Sequence, residues 1–178
     1  MNTIESPDTF GVITEPATLK IQRLLPGPIE RVWSYITDEK LRRQWMAAGQ
    51  MEQKVGATVE FVWRNDELTQ PPGVRPPGFP EEHRMISRVT EIDAPHKLGI
   101  TWGERGEVTF DLESRTDGVL LTVTHRRLPD RDTTLMVGAG WHAHLDLLLA
   151  RIAGTPLSEP FWDGWSRLRR EYDRRVPA

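Results

Sequence analysis

Strict alternation of apolar and polar residues governs the middle of the chain. Val59, Phe61 and Trp63 alternate with Thr58, Glu60 and Arg64; Leu98, Ile100 and Trp102 repeat the period, as do Val108, Phe110 and Leu112, then Val119, Leu121 and Val123. A period of two sends successive side chains to opposite faces, so each run predicts a half-buried antiparallel strand. GERG at 103–106 and TDG at 116–118 lie where hairpin turns belong, and DAPH at 93–96 breaks the segment before Lys97. Nearer the N-terminus, ATLKIQRLL at 17–25 also alternates, until PGP at 26–28 stops it.

On either side of these strands the period lengthens to that of a helix. In PIERVWSYI, Ile29, Val32, Trp33 and Ile36 share one face, and Pro28 suits a first helical residue because its missing N–H would be unpaired there. Thr37 or Asp38 can cap a second short helix in DEKLRRQWM, with Leu41 and Trp45 inward. A long helix spans about 132–153, opened by Pro129, Asp130 and Asp132 and closed at Gly154 and Pro156. Its residues Trp141, Leu145, Leu148 and Ile152 fall on one stripe, which must meet the sheet. Gly138 and Gly140 weaken its first turns and imply a close approach there. EPFWDGWSRLRREYDRR predicts one more helix, with Phe161, Trp162, Trp165, Leu168 and Tyr172 at helical spacing. Residues 1–16 lack periodicity and read as a flexible lead-in. QPPGVRPPGFP at 70–80 holds five prolines and must be an extended loop, either a lid or a plain surface excursion. The class is therefore α+β: a lead-in at 1–16, a domain at 17–154 and an added C-terminal helix within 155–178.

Composition narrows the function classes. Lys and Arg total 23 against 26 Asp and Glu, a net charge of -3, so no positive field draws the chain to nucleic acid or anionic lipid. The absence of cysteine removes disulfides, thiolate nucleophiles and Cys-ligated zinc. The N-terminus lacks a signal-peptide pattern and no run is long enough to span a bilayer, so a cytoplasmic protein without membrane partners is expected. Seven tryptophans against two tyrosines suit a core or a greasy pocket.

Candidate chemistry centres on GWHAHLDLLLARIAG at 140–154. His142 and His144 project about 200° apart on a helix and cannot chelate one metal. The i, i+4 pair of His142 with Asp146 supplies two ligands where catalytic zinc takes three, so no metal or cofactor is expected and the pair reads as exposed and charge-assisted. His144 flanks the sheet-facing stripe, and His125 continues the inward parity of Leu121 and Val123. Each is either a core histidine bonded to a neighbour or a polar group presented to a ligand. Trp63, Trp102 and Phe110 converge by parity on Trp141 and Leu148, as a packed core or as a cavity lining. No phosphate loop, nucleophile elbow, HExxH or dinucleotide fingerprint is present, and the acidic residues lie mostly at outward parity or in turns.

In PIERVWSYITDEKLRRQWM, VGATVEFVW, RVTEIDAPHKLGITWG, GVLLTVTHRRLPD and GWHAHLDLLLARIAG, taken in that order, the chain resembles the START-like (SRPBCC) ligand-binding superfamily, and within it the family named after the activator of heat-shock-protein-90 ATPase. The resemblance covers about residues 17–154. It implies a helix-grip fold, a curved antiparallel sheet wrapped around a long C-terminal helix with a cavity between them. The expected function is binding of a small apolar or aromatic ligand by Trp63, Trp102, Phe110, His125, Trp141, His144 and Leu148. The alternatives are a cyclase or dehydratase using His125 or His144, and a module that contacts a chaperone or regulator through the Trp- and Arg-rich tail. The founding co-chaperone has a further N-terminal domain not matched here, so its ATPase activation does not carry over. Ala57 stands where relatives often have a second glycine, and the helix after Gly154 either covers the cavity mouth or pairs two subunits as a homodimer.

Overall fold

The computed structural model describes residues 9–178. Seven strands form one antiparallel, curved sheet: β1 Val12–Glu15, β2 Thr18–Leu25, β3 Thr58–Trp63, β4 His83–Asp93, β5 Lys97–Trp102, β6 Gly106–Arg115 and β7 Gly118–Arg126, in the order β1-β2-β7-β6-β5-β4-β3. Helices α1 Ile29–Thr37 and α2 Glu39–Arg42 follow β2; α3 Arg131–Ala153 and α4 Phe161–Arg175 close the chain. This is the helix-grip arrangement that the family resemblance implies and with which the element order agrees.

Cross-strand register explains how the inward aromatics gather. Phe110 lies opposite Leu98 and Val123, while Val108 lies opposite Ile100 and His125. At the neighbouring end of the sheet, Trp63 faces His83 and Trp102 faces Gly106. A Cβ at Gly106 would lie 2.6 Å from the Trp102 carbonyl oxygen, so this pairing requires glycine. The inward positions of β3, β6 and β7, with Leu98 and Ile100 of β5, are buried.

Two strands depart from the sequence reading. β1 falls within the lead-in expected at 1–16, paired along β2 from Val12 opposite Lys20; all four of its residues are exposed, which left no apolar alternation to reveal it. β4 escaped because its inward row carries Ser87 between Met85 and Val89, while Ile86 points out at 69% exposure.

The long helix is buried on most of its circumference, not on a single stripe, because the sheet covers one side and α4 another. Asp130 caps it by accepting from the Thr133 N–H at 2.7 Å, and Gly154 ends it in the left-handed conformation. Helix α4 buries Phe161, Trp162, Trp165, Leu168 and Tyr172. Near the α1–α2 junction, Arg42 is buried where the pattern foresaw only Leu41 and Trp45; its guanidinium donates to the carbonyls of Ile36, Thr37, Ala47 and Gly49 and packs on the Phe61 ring. Burial pulls its pKa down to about 10, so the charge persists at neutral pH.

Candidate functional site

The centre of the sheet–helix seam is filled. Trp141 packs against Trp102 and Phe110, with ring centroids 5.3 and 5.7 Å apart, and donates its indole N–H to His125 Nδ1 at 3.1 Å. In the neutral ring that acceptor role leaves the proton on Nε2. Burial lowers the His125 pKa to about 4. Leu148 is fully buried one turn beyond Leu145. Phe110, His125, Trp141 and Leu148, four of the expected site residues, are buried here in the core and do not border the cavity beside it.

A cavity of about 400 Å³ opens instead along the neighbouring flank of α3, where Thr133, Met136, Val137, Gly140 and His144 recur at three- and four-residue spacing. Across it stand Trp63 of β3, His83 and Met85 of β4, and Trp102 of β5. Trp162 and Trp165 of α4, Asn65, and Gly78–Glu81 of the proline-rich loop complete the wall. Of the seven expected site residues, Trp63, Trp102 and His144 meet here. Their companions on α4 and the loop were missed because helical spacing in α4 reads equally well as plain packing.

The roof is stitched rather than loose. The Trp162 indole donates to Asp66 Oδ1 at 2.7 Å, and Asp66 Oδ2 pairs with Arg75 at 2.6 Å. The backbone N–H of Trp162 donates to the Pro72 carbonyl at 3.0 Å, and Asp163 Oδ1 accepts from the Val74 N–H at 3.1 Å. Gly73 adopts a positive φ of 82°, and a Cβ there would lie 2.7 Å from Asp163 Oδ1. Phe79 fits between Trp162 and Trp165, at centroid distances of 5.2 and 5.0 Å.

His144 is the enclosed polar group of this wall. Its Nδ1 lies 2.7 Å from the Trp45 carbonyl oxygen. A carbonyl only accepts, so Nδ1 carries the proton and the neutral ring keeps an acceptor lone pair on Nε2. Burial pulls the pKa down to about 4, with the Trp45 carbonyl opposing the shift only in part. Asn65 adds an amide whose Oδ1 is buried without a hydrogen-bond partner.

Of the pair expected to be exposed, His142 is buried beneath Phe10 and Tyr172 of α4, while Asp146 keeps 39% of its side chain exposed. His142 Nε2 lies 3.4 Å from Asp146 Oδ2 and Nδ1 lies 3.0 Å from the Tyr172 hydroxyl. That hydroxyl accepts the Gly11 N–H at 2.8 Å, and Asp146 Oδ1 pairs with buried Arg23 at 2.9 Å. Burial raises the Asp146 pKa against the pull of Arg23 and pushes Tyr172 up to about 12. This network fastens β2, α3 and α4 together away from the cavity wall. Among the described residues no group of three or more His, Asp or Glu side chains is placed to hold a metal, and no helix is long and apolar enough to cross a membrane.

The family model described as "Activator of Hsp90 ATPase homolog 1-like protein" matches residues 26–153. No curated protein matches the chain. Among solved structures, the solution structure of the Bordetella parapertussis protein encoded by gene BPP1335 is 32% identical, with a TM-score of 0.78 over 98% of this chain and 97% of that one. CalU16 from Micromonospora echinospora is 22% identical, TM-score 0.66, over 97% and 100%. The conserved protein EF2215 from Enterococcus faecalis is 20% identical, TM-score 0.65, over 90% and 86%. The latter two establish likeness of fold alone.

Proposed function

The chain belongs to the Activator of Hsp90 ATPase homolog 1-like family, and from that premise we propose that it binds a small apolar or aromatic molecule in the cavity between α3, the β3–β5 end of the sheet, and α4. The observation that carries this reading is the composition of the wall: four indoles, Phe79, Met85, Met136 and Val137 around about 400 Å³, within the range of small-molecule pockets. Apolar transfer supplies the affinity, at roughly 25 cal/mol per Å² of ligand surface removed from water.

Binding is favoured over turnover. The enclosed histidine is held neutral by burial, with a pKa of about 4, so it is a weak base at pH 7 and has no proton to give at Nε2. No Asp or Glu is hydrogen-bonded to it; its Nδ1 proton goes to a main-chain carbonyl. The C-terminal helix reads as the cavity's cover, since its apolar face is turned inward onto α3.

Titration with the neutral dye N-phenyl-1-naphthylamine tests the reading. Saturable, one-to-one enhancement of dye fluorescence is expected, and Val137→Phe, which adds a ring to the wall, should abolish it while leaving the fold intact by circular dichroism. A folded wild-type protein that gives no saturable signal overturns the proposal.

A further inference from the structure

Seven tryptophans carry seven indole N–H donors, and four are engaged within the protein: Trp33 by Gln53 Oε1, Trp45 by the Tyr35 carbonyl, Trp141 by His125 Nδ1 and Trp162 by Asp66 Oδ1. The other three, on Trp63, Trp102 and Trp165, make no hydrogen bond among the described residues, and all three side chains line the cavity. Their nitrogens are not among the sealed polar atoms that lack a partner, so the N–H groups remain reachable. Enclosed indole N–H groups ordinarily find an acceptor. Of the four tryptophans on the cavity wall, Trp162 alone has its N–H engaged by the protein, and the other three leave theirs open to a ligand.

Acceptor capacity on the same wall is also unused. His144 presents the Nε2 lone pair left by its bond to Trp45, whereas Asn65 Oδ1, though unpartnered, is sealed from the cavity. Charge is distributed just as unevenly. Among the described residues no Lys or Arg lines the cavity, the carboxyl at its edge is that of exposed Glu81, and the imidazole of His83 is exposed as well. A carboxylate or phosphate drawn in as far as His144 would thus be buried without a lysine or arginine counter-charge, at a cost far above that of a neutral group.

Resting on the binding function above, we propose that the ligand is a neutral, flat aromatic molecule that carries both a hydroxyl donor and a carbonyl acceptor, and that anionic lipids and aromatic acids are rejected. The hydroxyl donates to His144 Nε2. The carbonyl accepts from the free indole N–H groups. The aromatic rings of the wall stack on the planar body between them.

A matched naphthalene series tests this with the full chain at pH 7.5, read by isothermal titration: naphthalene, 2-naphthol, 6-acetyl-2-naphthol and 2-naphthoate. Each satisfied hydrogen bond should tighten binding about fivefold, so 2-naphthol binds about fivefold and 6-acetyl-2-naphthol about 25-fold tighter than naphthalene. 2-Naphthoate should bind more weakly than naphthalene. His144→Leu should erase the advantage of 2-naphthol over naphthalene, whatever it does to the affinity of naphthalene itself; if that variant does not fold, the wild-type order alone decides. Equal affinity across the series, or tight binding of 2-naphthoate, overturns the ligand class while leaving a binding cavity in place. Failure of every member to bind overturns the cavity's role as well.

Discussion

The indole of Trp141 donates to Nδ1 of His125 across 3.1 Å, a bond within the buried core and outside the lining of the cavity beside it. Trp141→Phe removes the donor, strands a buried acceptor on His125 and leaves a void where the larger ring was. The expected loss is on the order of 2–4 kcal/mol of stability. Because neither residue lines the cavity and phenylalanine keeps an aromatic ring facing Trp102 of its wall, affinity for N-phenyl-1-naphthylamine should change less than about threefold. Urea unfolding and dye titration on the same preparations check both halves, and a lost dye site in a folded variant would refute the separation.

The alternating runs at 58–63, 98–102, 108–112 and 119–123 made most of the sheet legible, because a one-sided core imposes the period of two directly on the sequence. The axis of α3 was equally legible. What parity cannot give is depth. Trp63, Trp102 and Phe110 share an inward direction, yet only the first two border the cavity of about 400 Å³, whereas Phe110 packs edge-on against Trp141. The roof was hidden for another reason: Phe79, Trp162 and Trp165 come from segments far apart in sequence, and their meeting depends on Asp66, Pro72 and Asp163, which hold the loop to α4.

His125 and His144 also give the protein a built-in acid sensitivity. Each has a folded-state pKa near 4, below the ordinary value of 6.5, so the unfolded chain binds more protons between those limits. Stability is fully present above about pH 6.5, falls as the pH drops toward 4, and loses nothing further from these groups below that. Each histidine accounts for on the order of 3 kcal/mol across the window. Urea midpoints measured from pH 4.5 to 7.5 should show this slope, and His125→Gln should flatten about half of it. An unchanged slope in the variant would refute the assignment.

Arg23 is sealed by the protein while its partner Asp146 keeps 39% of its side chain exposed, so the two halves of the pair respond differently to mutation. Asp146→Ala leaves a buried guanidinium without its counter-charge and removes the contact of the carboxylate with His142 Nε2. A cost of about 2–4 kcal/mol is expected, below the full value for a sealed pair because water reaches the carboxylate side. Arg23→Met combined with Asp146→Leu removes both charges and should recover part of that loss. Thermal melts of the single and double variants decide it: a double variant less stable than Asp146→Ala would show that the pair itself, not the stranded charge, dominates.

Deletion of residues 155–178 distinguishes a detachable tail from an integral cover. Helix α4 buries Phe161, Trp162, Trp165, Leu168 and Tyr172, and its removal uncovers His142 and the roof of the cavity. The truncated chain should lose its cooperative melt or aggregate, as expected when several large side chains and their facing surfaces are exposed together. A soluble truncation with an undiminished melting temperature would restore the interaction-tail reading.

Gly138 and Gly140 lie two residues apart on α3 and should respond in opposite ways to alanine. A Cβ at 138 would meet the Tyr172 ring at 3.0 and 3.1 Å, and that ring is held through its hydroxyl by Gly11 and His142, so it has little room to yield. At 140 the nearest atom is Trp165 Nε1 at 3.9 Å, an ordinary contact at the cavity edge. Gly138→Ala therefore destabilises by about 1–3 kcal/mol through overpacking. Gly140→Ala gains the helix preference of alanine over glycine, roughly 0.5–1 kcal/mol, while placing a methyl group in the ligand's space. The second variant should melt higher and bind N-phenyl-1-naphthylamine more weakly than wild type. That pairing of a raised melting temperature with reduced affinity has no source in general damage to the fold, so it reports the cavity's position along α3 directly; a Gly140→Ala protein that gains stability and keeps full affinity would move the ligand off this flank.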